Sequence, residues 1–371
     1  MRIVILTNAG IGLYKFRKEL VQNLCKNNEV YIILPDEGAF IEPLKSLGCK
    51  YIQFEFSRRG INPIQDISQI IRYQLLIKEL NPDIVLTYTI KPNIYGGIVC
   101  QLTHTPYIAN VTGLGTTIEN GGLLGFISTS LYRCGLRNAK CVFFQNKNNK
   151  ELFETKKIVK GKTRLIPGSG VNLVTHNYEP YKPTTNGIRF LFVGRVMKDK
   201  GINELLRAIE ILHRERNDII LDLVGWSDED YSTELKNAEA EGAVCFHGLQ
   251  TNVHPFYTKC HCVVLPSYHE GMANVMLEAS ATGRPVITTR VPGCKETFEE
   301  GVTGFGCEAK STASLVSAMR KFIELSEAER IKMGKNARLK MEREFDRQIV
   351  LDAYEAEIKT DSVGPFSKQN G

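Results

Sequence analysis

Two pairs of residues carry chemistry in their type and spacing. Arg195 and Lys200 stand five apart in Gly194-Arg195-Val196-Met197-Lys198-Asp199-Lys200-Gly201, after an apolar run and before a helical pattern. Two cations on one strand-to-helix loop can converge on one point, where an arginine fork takes two phosphate oxygens and a lysine adds a mobile point charge. Glu270 and Glu278 form E-x(7)-E, the first in a loop after another apolar run and the second within the next helix. Glu278 lies among Val275, Met276, Leu277 and Ala279. An inward-facing carboxylate there needs strong donors, such as sugar hydroxyls, to offset its desolvation. Between the acids, Gly271-Met272-Ala273-Asn274 opens a helix N-terminus toward an anion. Either pair alone also reads as solvated surface or coincidence; the four together argue for one site.

The first apolar run ends in Thr7-Asn8-Ala9-Gly10-Ile11-Gly12-Leu13-Tyr14. Glycines there let backbone approach an anion, and a tight turn without a ligand is the plain alternative. A dinucleotide loop would need a third glycine where Lys15 stands, although Asp36 occupies the place of a ribose-binding acid. An NAD-dependent oxidoreductase is therefore disfavoured. Asp228-Glu229-Asp230 looks like a metal-binding D-x-D, but it stands at a helix start, where acids complement the dipole. The expectation is no metal and no cofactor. Ten scattered cysteines without a C-x-x-C pair read as reduced, mostly buried thiols.

The elements that must position these residues follow from periodicity. Short β-branched runs at 2–6, 30–34, 51–54, 84–87, 107–111, 141–145 and 163–166 alternate with helical patterns such as 14–27, 63–80 and 92–104. After the Pro- and Gly-dotted connection that follows 167–171, the alternation restarts with runs at 189–193, 219–224, 244–246, 262–265 and 285–289. Strand-helix alternation means right-handed βαβ units and parallel sheets. The fold class is α/β: two Rossmann-like, doubly wound domains, 1–170 and 187–345, facing across a cleft. A closing helix over 346–358 packs back on the first domain, and ligands sit beyond the carboxyl ends of the strands.

With 371 residues, 43% hydrophobic and 24% charged, the chain suits two folded domains. No run is long and apolar enough for a membrane span or a secretory signal. The net charge of +6 is uneven: 22 Lys and Arg stand against 12 Asp and Glu up to Val171, and 25 against 29 beyond it. A basic first half suits nucleic acid, an anionic membrane surface or a phosphorylated substrate. The cations are scattered singly through amphipathic segments, which argues against nucleic acid. The segment 123–133, with Arg137 and Lys140, reads either as a membrane-surface helix or as an ordinary core-facing one.

In order, Gly194-Arg195 with Lys200-Gly201, Leu223-Val224-Gly225, Phe246-His247-Gly248, Leu265-Pro266-Ser267, Glu270 to Glu278, Gly283-Arg284-Pro285 and Gly304-Phe305 resemble the retaining glycosyltransferases of family 4, which have the GT-B fold. The first half, through Asn8-Ala9-Gly10 with Phe16-Arg17, Glu55 to Arg58 with Asn62-Pro63, Gly113-Leu114-Gly115 and Gly170-Val171-Asn172, is similar to a bacterial branch that extends polyprenyl-diphosphate-linked sugars, such as α-1,3-N-acetylgalactosaminyltransferases.

The resemblance implies a metal-independent retaining transferase that uses a UDP-sugar, with UDP-N-acetylgalactosamine the best candidate, on a polyprenyl-diphosphate acceptor. It implies work in surface polysaccharide, O-antigen or N-glycan assembly, in the cytoplasm and peripheral at the inner face of the plasma membrane. Arg195, Lys200 and Glu270 would be catalytic. The donor would also meet Gly10, Gly12, Gly194, His247, Leu249, Gly271, Met272, Ala273, Asn274, Val275 and Glu278, with Glu278 on the ribose and Glu270 on the sugar. Tyr14, Arg17 and Lys91, which follow strand ends or open helices in the basic domain, are expected near the acceptor diphosphate. One departure stands out: many family members have a histidine just after the strand at 107–111, where this chain has Thr112-Gly113. No acid/base residue is assigned. Two alternatives are a nucleotide-sugar-modifying enzyme of the UDP-N-acetylglucosamine 2-epimerase type, whose His and acid constellation is not found, and a non-catalytic sugar-nucleotide-binding subunit.

Overall fold

The computed structural model describes residues 1–36, 38–55, 63–113, 122–183 and 187–359. The resemblance residues within 56–62 and 114–115, and the tail from 360, lie outside the described residues. The chain divides into two compact units, one of Met1–Ser169 with the chain from Gln348, the other of Gly170–Arg347.

The first unit holds a seven-stranded sheet in the order β3-β2-β1-β4-β5-β6-β7. Its strands are β1 (Arg2–Leu6), β2 (Glu29–Leu34), β3 (Lys50–Gln53), β4 (Ile84–Tyr88), β5 (Tyr107–Val111), β6 (Cys141–Phe144) and β7 (Thr163–Leu165). Every pairing is parallel. Burial on both faces explains the unbroken apolar runs: Ile3 and Ile5 enter one core cluster, Val4 and Leu6 another. The closing helix Arg347–Lys359 inserts Tyr354, whose hydroxyl accepts from Asn110 at 2.7 Å and whose ring lies 4.6 Å from Phe143. Its buried Glu357 receives Lys162 and Arg164.

Helix Gly122–Leu136 turns Gly125, Thr129, Tyr132 and Leu136 inward and leaves Phe126 and Arg133 outside, so its inner face follows core-facing periodicity. Among the described residues, no helix is long and apolar enough to cross a membrane. The helical pattern at 92–104 divides into a π-helical turn, Pro92–Gly96, and an α-helix, Gly97–Leu102.

The second unit holds six strands in the order β10-β9-β8-β11-β12-β13. They are β8 (Ile188–Val193), β9 (Ile219–Val224), β10 (Val244–Phe246), β11 (Cys262–Leu265), β12 (Val286–Thr289) and β13 (Gly304–Cys307). Sequence reading passed over β13, because Gly304-Phe305-Gly306-Cys307 has turn composition; parallel pairing with β12 and full burial decide it. It also passed over helix Glu327–Lys340, which is strongly polar and opens with a capping box of Ser326 and Glu329. All ten cysteines are free, and seven are buried.

Candidate active site

Strand order reverses between β8 and β11 in the second unit and between β1 and β4 in the first. The loops after such strands diverge and leave room for a ligand. Arg195 and Lys200 follow β8, and Glu270 follows β11, so the sequence-selected cations and first acid share one switch point.

The two loops are joined by backbone. Asp199 O accepts from Tyr268 N at 2.9 Å and from Ser267 Oγ at 3.2 Å. Gly201 holds φ +73°, and a Cβ there would stand 2.2 Å from Pro266 O, so glycine is required for the close approach. From the far side Gly293, at φ +84°, backs the acidic loop: a Cβ would stand 2.2 Å from Glu270 O, and Gly293 O accepts from Ala273 N at 2.8 Å. In this frame Lys200 Nζ pairs directly with Glu270 Oε1, both side chains being largely covered.

Arg195 points to a different acid. Its NH1 donates to Asp228 Oδ2 at 2.8 Å, and Glu229 accepts from Lys198 N at 2.9 Å. Asp230 accepts from the hydroxyl and amide of Ser232, which hold its carboxyl below the usual range. The three acids of the D-x-D-like segment are thus engaged with the β8 loop and a helix start. Among the described residues no group of three or more His, Cys, Asp or Glu side chains is arranged to hold a metal ion.

Glu278 departs from its expected inward orientation. On helix Asn274–Ala281 the buried positions are Met276, Leu277, Ala279, Ser280 and Ala281, while Asn274, Val275 and Glu278 share a half-buried face. Its Oε2 accepts from the buried Tyr257 hydroxyl at 2.8 Å, a protein donor that meets part of the desolvation cost. No side chain caps this helix and its first turn holds no acid. Met272 and Ala273 turn their side chains into the protein, Met272 within one buried cluster with Val171, Leu277 and Phe345, so neither side chain faces a ligand.

His247 and Leu249 follow β10, two strands from β8. His247 Nε2 pairs with Asp222 Oδ1 at 2.8 Å, and the same carboxylate receives Arg189 through two bonds of 2.9 Å. Burial pushes the Asp222 carboxyl up, but these donors outweigh it and hold it below its ordinary value. The His247 ring meets Phe256 at 4.8 Å, and Leu249 is exposed. Phe256 and Tyr257 are neighbours on helix His254–Lys259, so one short helix touches both His247 and Glu278.

In the first unit Gly10 and Gly12 lie in the opening turn of helix Gly10–Cys25, and Gly194 continues directly from β8 in the second. Tyr14 and Arg17 follow on that helix after β1, and Lys91 follows β4, so all three stand at the first unit's switch point. The two cations there are covered rather than exposed. Arg17 is 5% exposed, lies 5.6 Å over the Tyr88 ring, and reaches Gly168 O only at 3.4 and 3.5 Å. Lys91 Nζ pairs with Asp66 at 3.1 Å with both side chains nearly covered. Thr89, between β4 and the helical turn that begins before Lys91, holds φ +70°, a conformation costly for a β-branched residue and found where local structure is over-determined.

Sequence reasoning missed Tyr257, Gly293 and the full reach of Arg284. Arg284 is fully buried and donates to Tyr257 O at 2.7 Å, Glu179 O at 3.0 Å and Pro180 O at 3.2 Å. The signal for it was the charged residue inside Gly283-Arg284-Pro285; for Tyr257 and Gly293 no spacing rule links them to the acids they touch.

Residues 2–146 match the family model for glycosyl transferase 4-like domains, and residues 177–340 match that for glycosyl transferases group 1. The chain is 28% identical to N,N'-diacetylbacillosaminyl-diphospho-undecaprenol alpha-1,3-N-acetylgalactosaminyltransferase of Campylobacter jejuni, over 95% of this chain and 97% of that protein. It is 26% identical to the capsular polysaccharide biosynthesis glycosyltransferase CapM of Staphylococcus aureus, over 90% of each. Among solved structures, Anabaena HepE in complex with UDP and glucose superposes with a TM-score of 0.77 at 18% identity, over 96% of this chain and 98% of that one.

Proposed function

Because the chain belongs to family 4 of the GT-B glycosyltransferases, we propose that it moves N-acetylgalactosamine from a UDP-sugar to a polyprenyl-diphosphate-linked saccharide, with retention at the anomeric carbon and without a metal. One observation carries this reading: the near full-length similarity to a transferase whose name specifies a diphospho-undecaprenol acceptor and an alpha-1,3-N-acetylgalactosaminyl product. An α-linkage made from a UDP-sugar, itself α-linked, is retention.

The residues supply a matching chemistry. Departure of the sugar leaves UDP with growing negative charge, which Arg195 and Lys200 stabilise as fixed cations. Donor binding draws Lys200 from Glu270 to the diphosphate, and Glu270 is then free to accept from sugar hydroxyls. Glu278 takes the ribose, and His247 and Leu249 lie toward the base. Gly194 and 271–275 give the phosphates close backbone approach, and the start of helix Asn274–Ala281, whose first turn holds no acid, adds its positive dipole end. In the first unit Gly10 and Gly12 give backbone access to the donor, while Tyr14, Arg17 and Lys91 receive the acceptor diphosphate. The enzyme works in surface glycan or glycoprotein oligosaccharide assembly, from the cytoplasm at the inner face of the plasma membrane, where a lipid-linked acceptor resides.

Incubation with a panel of UDP-sugars, with and without a polyprenyl-diphosphate saccharide, tests the reading through UDP release. Release that depends on both UDP-N-acetylgalactosamine and the lipid acceptor is expected. Release with no acceptor requirement would point to nucleotide-sugar modification instead.

A further inference from the structure

We propose that Tyr257 is a positioning residue that orients the Glu278 carboxylate toward both ribose hydroxyls, and so sets a preference for ribonucleotide over 2′-deoxyribonucleotide donors. The inference rests on Glu278 being the ribose-binding acid.

A carboxylate on a half-buried helix face turns easily about its last torsion, whose preference is broad. Glu278 is denied that freedom by one donor: the Tyr257 hydroxyl, at 2.8 Å from Oε2. The tyrosine is itself immobile. It is 0% exposed, and Arg284, also 0% exposed, fixes its carbonyl at 2.7 Å. Arg284 also donates to the next carbonyl, Thr258 O, at 3.3 Å, so a buried cation holds the carboxyl end of helix His254–Lys259 where the helix dipole favours it. On its other side the Tyr257 ring packs edge-on against His176, with centroids 6.0 Å apart. The chain from Arg284 through Tyr257 to Glu278 is therefore rigid up to the carboxylate. With Oε2 anchored, Oε1 and the remaining lone pairs present one fixed edge, and two adjacent hydroxyls are the donor arrangement that such an edge accepts. Burial, reinforced by the Glu278 charge, pushes the Tyr257 phenol well above its ordinary pKa, so it stays protonated and able to donate across the working pH range. The neighbouring Phe256 meets His247, so the same helix faces the region assigned to the base.

The test compares UDP with 2′-deoxy-UDP by calorimetry on the full chain. Wild type is expected to bind UDP about tenfold more tightly, because a site built for a hydroxyl penalises its loss. Tyr257→Phe, which keeps the ring, should weaken UDP by about tenfold and bring the two nucleotides within about twofold of each other, at an unchanged melting temperature. Equal weakening of both nucleotides, with the preference intact, would mark a merely structural role and overturn the inference. Glu278→Gln separates the two layers: a wild-type preference in that variant removes the ribose reading of Glu278 itself, whereas loss there with retention in Tyr257→Phe defeats the positioning role alone. Should Tyr257→Phe not fold, Glu278→Asp draws the carboxylate back from the phenol with its charge kept; loss of the preference supports the inference and an intact preference overturns it.

Discussion

Lys200 and Glu270, on the loops after two adjacent central strands, form a direct ion pair. Both side chains are largely covered, so each neutralises the other's desolvation cost, and removal of one strands the other. On the proposed reading, a donor would bring its own anion for Lys200 and its own hydroxyl donors for Glu270, so binding would exchange one satisfied arrangement for another.

Lys200→Ala and Arg195→Ala should each lower turnover at saturating donor by an amount equivalent to about 2 to 4 kcal/mol, the scale for removing one preorganised group that stabilises transition-state charge. Far-ultraviolet circular dichroism should be unchanged. Near wild-type turnover in either variant would remove the diphosphate role from that residue.

Glu278→Gln and Glu270→Gln should differ in kind. The first removes the carboxylate assigned to a part of the donor that does not react, so it should raise the UDP dissociation constant and leave saturated turnover less affected. The second should lower turnover with little change in UDP affinity. Calorimetry with UDP beside steady-state kinetics reads both, and an unchanged UDP affinity in Glu278→Gln contradicts the assignment.

Chelation should leave the rate intact if, as proposed, Arg195, Lys200 and a helix N-terminus carry the leaving diphosphate. Initial rates with and without excess EDTA are the measurement. Loss on chelation and recovery with manganese or magnesium would bring Asp228 and Asp230 back as ligands, in place of their present contacts with Arg195 and Ser232.

Arg17→Gln should raise the acceptor KM and leave the donor KM near wild type. Since Arg17 and Lys91 are covered rather than surface charges, the acceptor KM should respond only weakly to salt. A steep salt dependence, with Arg17→Gln silent, would place the lipid diphosphate on exposed cations elsewhere.

Asp222 gives a pH signature. Its carboxyl is held below the ordinary value of about 3.9 by Arg189 and His247 despite burial. A depressed folded-state pKa contributes stability above the unfolded value, and this is lost as pH falls through the folded one. The melting-temperature gap between wild type and Asp222→Asn should thus be widest near neutrality and shrink below about pH 4. A gap independent of pH would show that charge plays no part.

Much of the fold was legible because parallel strands buried on both faces leave unbroken runs, as at Arg2–Leu6, Tyr107–Val111 and Ile219–Val224. Strand β13 was not, since its glycines carry turn composition and only its neighbour β12 makes it a strand. Placement was legible where spacing is local: Arg195 and Lys200 on the loop after β8, Glu270 after β11 and Glu278 on the next helix. Contacts made by the fold were hidden, among them Tyr257 on Glu278 and Asp228 on Arg195. The burial of Arg17 had a visible signal, its place in the stripe Leu13, Arg17, Leu20, Val21 and Leu24 of one helix face.

The proposed reaction is transfer with retention from UDP-N-acetylgalactosamine to a polyprenyl-diphosphate saccharide. Purified enzyme, both substrates and excess EDTA, followed by mass spectrometry and proton NMR of the lipid-linked product, test it in one reaction. The expected product is an acceptor extended by one N-acetylhexosamine with the small anomeric coupling of an α-linkage. A β-linked product, or an acceptor left unextended while UDP-N-acetylgalactosamine is consumed, would contradict it.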